Sequence, residues 1–156
     1  MEPSSLSPLL SLIEEVPAYR WLSQELGRSG RSTRVVVLDA AKPYLVAALF
    51  RRLHRPVLMV TAQPGRARQL HEQLLAWLGP GEVWLFPEPE ALPYERIASD
   101  TATEMERLQV LSALSGGVEG GVPLIVASAP ALMQKTMPRS HFARACHSIE
   151  RGMELD

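Results

Sequence analysis

One cysteine in 156 residues leaves Cys146 without an internal disulfide partner, so packing must hold the fold and a reducing compartment is expected. Long apolar runs are missing too. None approaches the length that crosses a bilayer, and the opening Met-Glu-Pro-Ser-Ser has neither the basic start nor the apolar centre of a secretory leader. These absences point to the cytoplasm, with no membrane partner. Neither sign of charge dominates: the formal net charge is −1 and the pI about 6.4, which gives no general pull toward nucleic acid or a membrane surface. Lysine is scarce, two against fourteen arginines, a usage that reflects a GC-rich genome rather than a function. No catalytic carboxylate pair, Gly-x-Ser-x-Gly elbow or Asp-Glu-x-x box occurs, so no catalytic residue is assigned. His71 has no Cys, His or Asp clustered around it and is read as a solvated helix residue, with no metal site. Cys146 reads as a small core hydrophobe, and His141 and His147 flank it in no triad order.

What is present is the composition of an ordinary globular protein, 46% hydrophobic and 21% charged, long enough for one domain or for one domain and part of a second. Residues 6–26 read as two short helices parted by Pro17, with stripes of Leu9, Leu12, Ile13 and Val16, then Tyr19, Leu22 and Leu26. A polar link, residues 27–33, follows. Four apolar runs, residues 35–38, 57–60, 83–86 and 122–127, read as strands, and the valine-rich first has the character of one buried on both faces. Helical patterns separate them. Leu45, Ala48, Leu49 and Leu53 mark one; Ala67, Leu70, Leu74, Trp77 and Leu78 mark another, opened by Pro64 and stopped by Gly79-Pro80-Gly81. Thr101 and Glu104 form a capping box for a third, with Met105, Leu108, Leu111 and Leu114 as its expected buried stripe. Ser128 caps a short helix to Met133, Pro138 opens another with Phe142 facing inward, and residues 146–149 begin a strand without a partner downstream. The order predicts an α/β fold: a parallel sheet of about four strands with helices on both faces.

The turn after the first run is the place where a phosphate-binding loop would sit. Such a loop needs glycines that let backbone N–H groups wrap phosphate, a lysine for the outer phosphates, and a hydroxyl residue for magnesium. Here the turn reads Asp39-Ala40-Ala41-Lys42-Pro43. Lys42 stands where the lysine belongs, but glycine is absent, Asp39 brings negative charge, and Pro43 removes both the hydroxyl and a backbone donor. The position reads as a degenerate phosphate loop that holds no nucleotide. Further along, Pro87, Pro89 and Pro93 forbid helix and central strand alike and open a long loop before the Thr101 helix. Seven of the seventeen acids lie between Glu82 and Glu106, and within the loop Leu92, Tyr94, Glu95 and Ile97 mix apolar groups with charge. That mixture suits a protein contact, although capping of the sheet edge by Leu92, Tyr94 and Ile97 accounts for it equally, and for Tyr94 alone folding back over that edge is the favoured reading. The acids oppose DNA as its partner.

The strand ending in Phe86-Pro87, then Leu92-Pro93-Tyr94-Glu95, an acid-rich helix start and Arg107-Leu108, together with Ala131-Leu132-Met133-Gln134, resembles the N-terminal region of bacterial transcription-repair coupling factors. That region is itself related to excinuclease B. The resemblance runs from about Leu6 to Asp156. It implies a helicase-like Rossmannoid fold with a decayed phosphate loop, in which residues 1–33 are N-terminal helices and linker, 34–138 the excinuclease-B-like domain, and 139–156 the start of a module that docks excinuclease A. The stretch between Phe86 and Thr101 is too short for the β-hairpin with which excinuclease B probes damaged DNA, which favours the coupling factor. The resemblance further implies a chain without a cofactor of its own, inside a parent that uses ATP and Mg to translocate on double-stranded DNA. That parent displaces stalled RNA polymerase and recruits nucleotide excision repair. Two other readings stay open at this point: the first part of an ATP-binding NTPase lobe, and a free-standing protein-binding α/β module.

Overall fold

The computed structural model describes residues 6–28, 32–89, 101–115 and 122–145. A 3-10 helix, Ser7–Glu15, meets α1, Pro17–Gly27, at Val16, whose extended backbone places Pro17 at the first helical position, where its missing N–H costs nothing. Then follow α2 (Lys42–Leu53), β1 (Val57–Thr61), α3 (Pro64–Leu78), β2 (Val83–Phe86), α4 (Thr101–Leu114), β3 (Leu124–Ser128), α5 (Ala129–Met133) and α6 (Arg139–Ala145). Between α3 and β2 the chain reverses at Gly79 and Gly81, whose φ angles of 87° and 97° belong to glycine.

The sheet is parallel throughout, in the order β1-β3-β2, with Val57 and Val83 both level with Leu124. β3 is its centre, and all five of its residues are buried, which is why Leu-Ile-Val-Ala-Ser shows no alternation. Helices lie on both faces. On one, Leu124, Val126 and Val83 pack with Ala47, Ala48 and Phe50 of α2, Ala67, Leu70, Leu74 and Leu78 of α3, and Leu10 and Tyr19 of the N-terminal helices. On the other, Phe86, Ile125 and Ala127 pack with Val110 of α4 and Ala131 of α5. The N-terminal helices are tied down by Ser7 Oγ donating to the Trp77 carbonyl (2.5 Å), Tyr44 to that of Leu9 (3.0 Å) and buried Tyr19 to that of Ala48 (3.0 Å).

The structure corrects three expectations. In the N-terminal 3-10 helix Leu10 is buried, while Leu9, Leu12 and Val16 of the expected stripe are exposed, because three residues per turn do not keep an α-helical stripe on one face. Residues 35–38 form no strand, so among the described residues the sheet has three strands rather than about four. A valine-rich run prefers extended backbone, but membership of a sheet requires a neighbouring edge, and here Val36 is 95% exposed and Leu38 81%. On α4 the buried residues are Thr103, Arg107 and Val110, not the stripe of Met105, Leu108, Leu111 and Leu114. Met105, Leu108 and Leu114 are exposed and Leu111 is half-buried; the helix is rotated because Arg107 finds carbonyl partners beneath it. The expected stripes of α3, the Ser128 cap and the inward Phe142 are observed. Residues 146–149 lie outside the described residues.

Candidate functional site at the carboxyl edge of the sheet

In open parallel sheets, ligands bind beyond the carboxyl ends of the strands, where successive connections leave for opposite faces. Here β1 leaves through α3 on one face and β2 through α4 on the other, so the ends of β1, β3 and β2 define that region. Two groups of residues stand along it, and a third lies beside the start of β2.

The first is the phosphate-loop position. Asp39–Ala41 form a single 3-10 turn that runs into α2, with Lys42 at the helix start and Pro43 behind it. Ala41 and Lys42 are right-handed helical, and among the described residues positive φ occurs at His54, Gly79 and Gly81, away from this turn. The turn therefore lacks the left-handed residues that curl backbone N–H groups into an anion nest. Lys42 Nζ donates to Asp39 Oδ1 at 2.5 Å, and Arg66 Nη2, from the first turn of α3, donates to Asp39 Oδ2. Arg66 also donates to Gln69 Oε1 at 2.6 Å. The hydrogen bond from Lys42, with the nearby Arg66 charge, holds the Asp39 carboxyl below its usual pKa. A carboxylate thus sits between the two cations that would otherwise face an incoming phosphate. All three side chains remain in contact with water, so the cluster orients the turn more than it stabilises the fold.

The second group closes the exit of β2. Arg107 of α4 is 8% exposed, and its guanidinium lies 4.0 Å from the centre of the Phe86 ring. Nη1 donates to the Pro87 carbonyl at 2.6 Å and reaches the Ala131 carbonyl at 3.5 Å. Burial lowers the guanidinium's pKa. One side chain therefore joins α4, the first residue of the proline loop and α5. Pro64, Ala67, Arg68, Phe86, Glu88 and Ser128 edge an open cleft of about 340 Å³ beside it. The Ser128 hydroxyl caps α5, accepting from Ala131 N at 3.2 Å. The sequence analysis names Arg107 within the motif that carries the resemblance, without assigning it a contact. Its spacing of four residues after Thr103 and three before Val110 was the signal available.

The third is His71 on α3, which is half-buried rather than solvated as its sequence context implied. Its imidazole lies beside the Val83 backbone at the start of β2 and borders a cleft of about 350 Å³ with Arg68, Glu72, Trp84 and Glu106. Burial lowers its pKa below 6.5, while the Val83 bond and the charges of Glu106 and Glu72 act the other way. Among the described residues there is no group of three or more His, Cys, Asp or Glu able to hold a metal ion. No helix among them is long and apolar enough to cross a membrane. Leu92, Tyr94, Glu95 and Ile97 lie outside the described residues. Of the expected site, the structure joins Asp39 and Lys42 with Arg66, which sequence alone did not connect.

No family model matches the chain. A curated protein does. A transcription-repair-coupling factor of Rickettsia bellii (strain RML369-C) is 26% identical over 118 residues, covering 75% of this chain and 10% of that protein. The relationship is distant. The chain spans about a tenth of the length of the curated relative it matches.

Proposed function

We propose that this chain is a non-catalytic scaffolding domain from the N-terminal part of a transcription-repair coupling factor. The parent is an ATP-driven translocase on double-stranded DNA that displaces stalled RNA polymerase and recruits nucleotide excision repair in the cytoplasm. ATP and Mg serve its motor elsewhere, while this domain has no cofactor. The observation that carries the reading is the Asp39 carboxylate held between Lys42 and Arg66, in a turn without glycine. Charge there is already neutralised from within, and Pro43 cannot supply the magnesium-binding hydroxyl. The distant likeness to a coupling factor supports the same assignment. Residues 34–138 act as an excinuclease-B-like body with a degenerate phosphate loop, residues 1–33 as its helical brace, and 139–156 as the lead into a module that docks excinuclease A.

The rest of the parent chain is the natural partner of the proline loop, where Leu92, Tyr94, Glu95 and Ile97 combine apolar and acidic character. Replacing Tyr94→Ala with Glu95→Arg should change the parent's repair or translocation activity at constant thermal stability; lost stability with unchanged activity per folded molecule makes the loop purely structural. Nucleotide binding tests the main assignment. Calorimetric titration with magnesium-ATP should give no heat of binding at micromolar concentrations, and a micromolar complex would move the chain into the class of NTPase lobes.

A further inference from the structure

We propose that the outer flank of β2 is a docking groove for an extended, basic segment of a partner protein, which pairs its main chain with Leu85 and sets Arg or Lys side chains against Glu72 and Glu106.

Two clefts run along this flank. One of about 350 Å³ lies between α3 and α4 beside the start of β2, and one of about 340 Å³ lies at the exit of β2 beside the first turns of α3. Both are lined by Arg68 and Leu85, so they form one groove along the strand. Main chain within it is left unanswered. Leu124 N donates to the Glu82 carbonyl at 2.9 Å, and in a parallel ladder alternate residues turn both backbone groups to the same neighbour. Glu82, Trp84 and Phe86 therefore face β3, while Val83 and Leu85 face outward. Val83 is bridged to Pro80 of the preceding turn. Among the described residues nothing meets the N–H and C=O of Leu85. A free donor and acceptor midway along a groove are what an extended peptide satisfies.

Charge selects the occupant. Glu72 of α3 and Glu106 of α4 border the cleft at the start of β2, Glu88 borders the one at its exit, and Arg68 stands between. No ion pair among the described residues engages these three acids, whereas neighbouring Glu82 is held by Arg51 at 2.7 Å. His71, with its pKa lowered by burial, adds no positive charge at neutral pH. Half-buried Trp84 offers an aromatic surface to a guanidinium or to the stem of a lysine. The same acids oppose two other occupants. A second copy paired edge to edge would bring its own Glu72 and Glu106, and nucleic acid would set phosphates against carboxylates. Nor does the fold call for a further strand of its own here: Val83 and Phe86 are buried at 4% and 6%, with α3 and α4 covering the two faces of β2. A polar groove beside a finished core suits a partner that binds reversibly.

The probe is acetyl-Arg-Val-Arg-Val-Arg-amide, titrated at low ionic strength into the isotope-labelled chain and followed by amide chemical shifts. Shifts should centre on Leu85 and the Trp84 indole, and hydrogen exchange at Leu85 should slow. The analogue with citrulline in place of each arginine keeps the shape without the charge and should bind at least ~10-fold more weakly. An analogue N-methylated at every residue keeps the charge, cannot donate from its main chain, and should lose at least ~10-fold as well. Glu72→Lys with Glu106→Lys should weaken the arginine peptide at least ~10-fold at unchanged Tm, since both side chains are exposed. If that variant folds poorly the two analogues still decide, because they leave the protein unaltered. Either analogue binding as well as the arginine peptide overturns the inference, and so does a spectrum unmoved by millimolar peptide or shifted away from Leu85. A chain that dimerises on its own with Leu85 protected gives the groove to a second copy and overturns it too.

Discussion

Arg107 is the residue whose removal the fold should feel most out of proportion to its surroundings. Its guanidinium is buried between Phe86 and two main-chain carbonyls, with α4, the β2 exit and α5 meeting on it. A hydrogen bond from a charged donor contributes about 1.5–3 kcal/mol, and the 2.6 Å contact to Pro87 is of that kind. The 3.5 Å contact to Ala131 is at the limit of hydrogen bonding and adds little. A desolvated cation over an aromatic face adds up to about 2 kcal/mol. Against these stands the cost of desolvating the guanidinium, several kcal/mol, which truncation relieves. The net loss on Arg107→Ala is therefore about 2–4 kcal/mol, since truncation also leaves the Pro87 carbonyl unpaired and a void under α4. At this chain length that lowers Tm by roughly 5–15 °C. Arg107→Met separates the causes: it keeps most of the volume and removes the donors, so it should fall between wild type and alanine. Far-ultraviolet circular dichroism melts of the three proteins give the comparison. Methionine as stable as arginine would refute the reasoning, because the carbonyl contacts would then contribute nothing.

His71 gives a pH dependence. Its folded pKa lies below the unfolded 6.5, so the unfolded chain binds the proton first, and stability present above pH 6.5 is lost as pH falls through and below that value. Urea titrations at several pH values should show that loss in wild type and a flatter profile in His71→Gln; identical profiles would remove His71 as the cause. Tyr19→Phe should cost about 1 kcal/mol in the same titrations, through the lost hydrogen bond to the Ala48 carbonyl. Ser128→Ala should cost about 1 kcal/mol by uncapping α5, and no loss would mean that the central sheet holds that helix without its cap. Asp39→Asn should leave Tm within a degree or two, because the ion cluster is exposed, while making Lys42 and Arg66 available to phosphate in a titration; a large stability loss would make the cluster structural.

Much of this fold is legible in the sequence because local and global signals agree. Ala67, Leu70, Leu74 and Leu78 repeat at helical spacing and bury against the sheet, and Gly79 supplies the positive φ that stops them. β3 reads as a continuous apolar run because helices cover it on both faces. The signal fails where an element's neighbour decides its state. Residues 35–38 carry every mark of a strand, but the edge they would join is not in place among the described residues. On α4, apolar residues occur on more than one face, so periodicity does not select the buried one; Arg107 does, through carbonyls that are distant in sequence. The site divides in the same way. The flaw in the phosphate loop is local and visible in Asp39-Ala40-Ala41-Lys42-Pro43, whereas the ion pair from Arg66 crosses 27 residues and appears only in three dimensions.

The central claim, that this chain belongs to a transcription-repair coupling factor, is tested most directly by strand-specific repair. Cells in which the reading frame encoding this chain is disrupted would be irradiated with ultraviolet light, and lesion removal followed separately on the two strands of an active gene. The account predicts that the faster repair of the transcribed strand is lost while repair of the other strand is unchanged. A transcribed strand still repaired faster in the disrupted cells would contradict it.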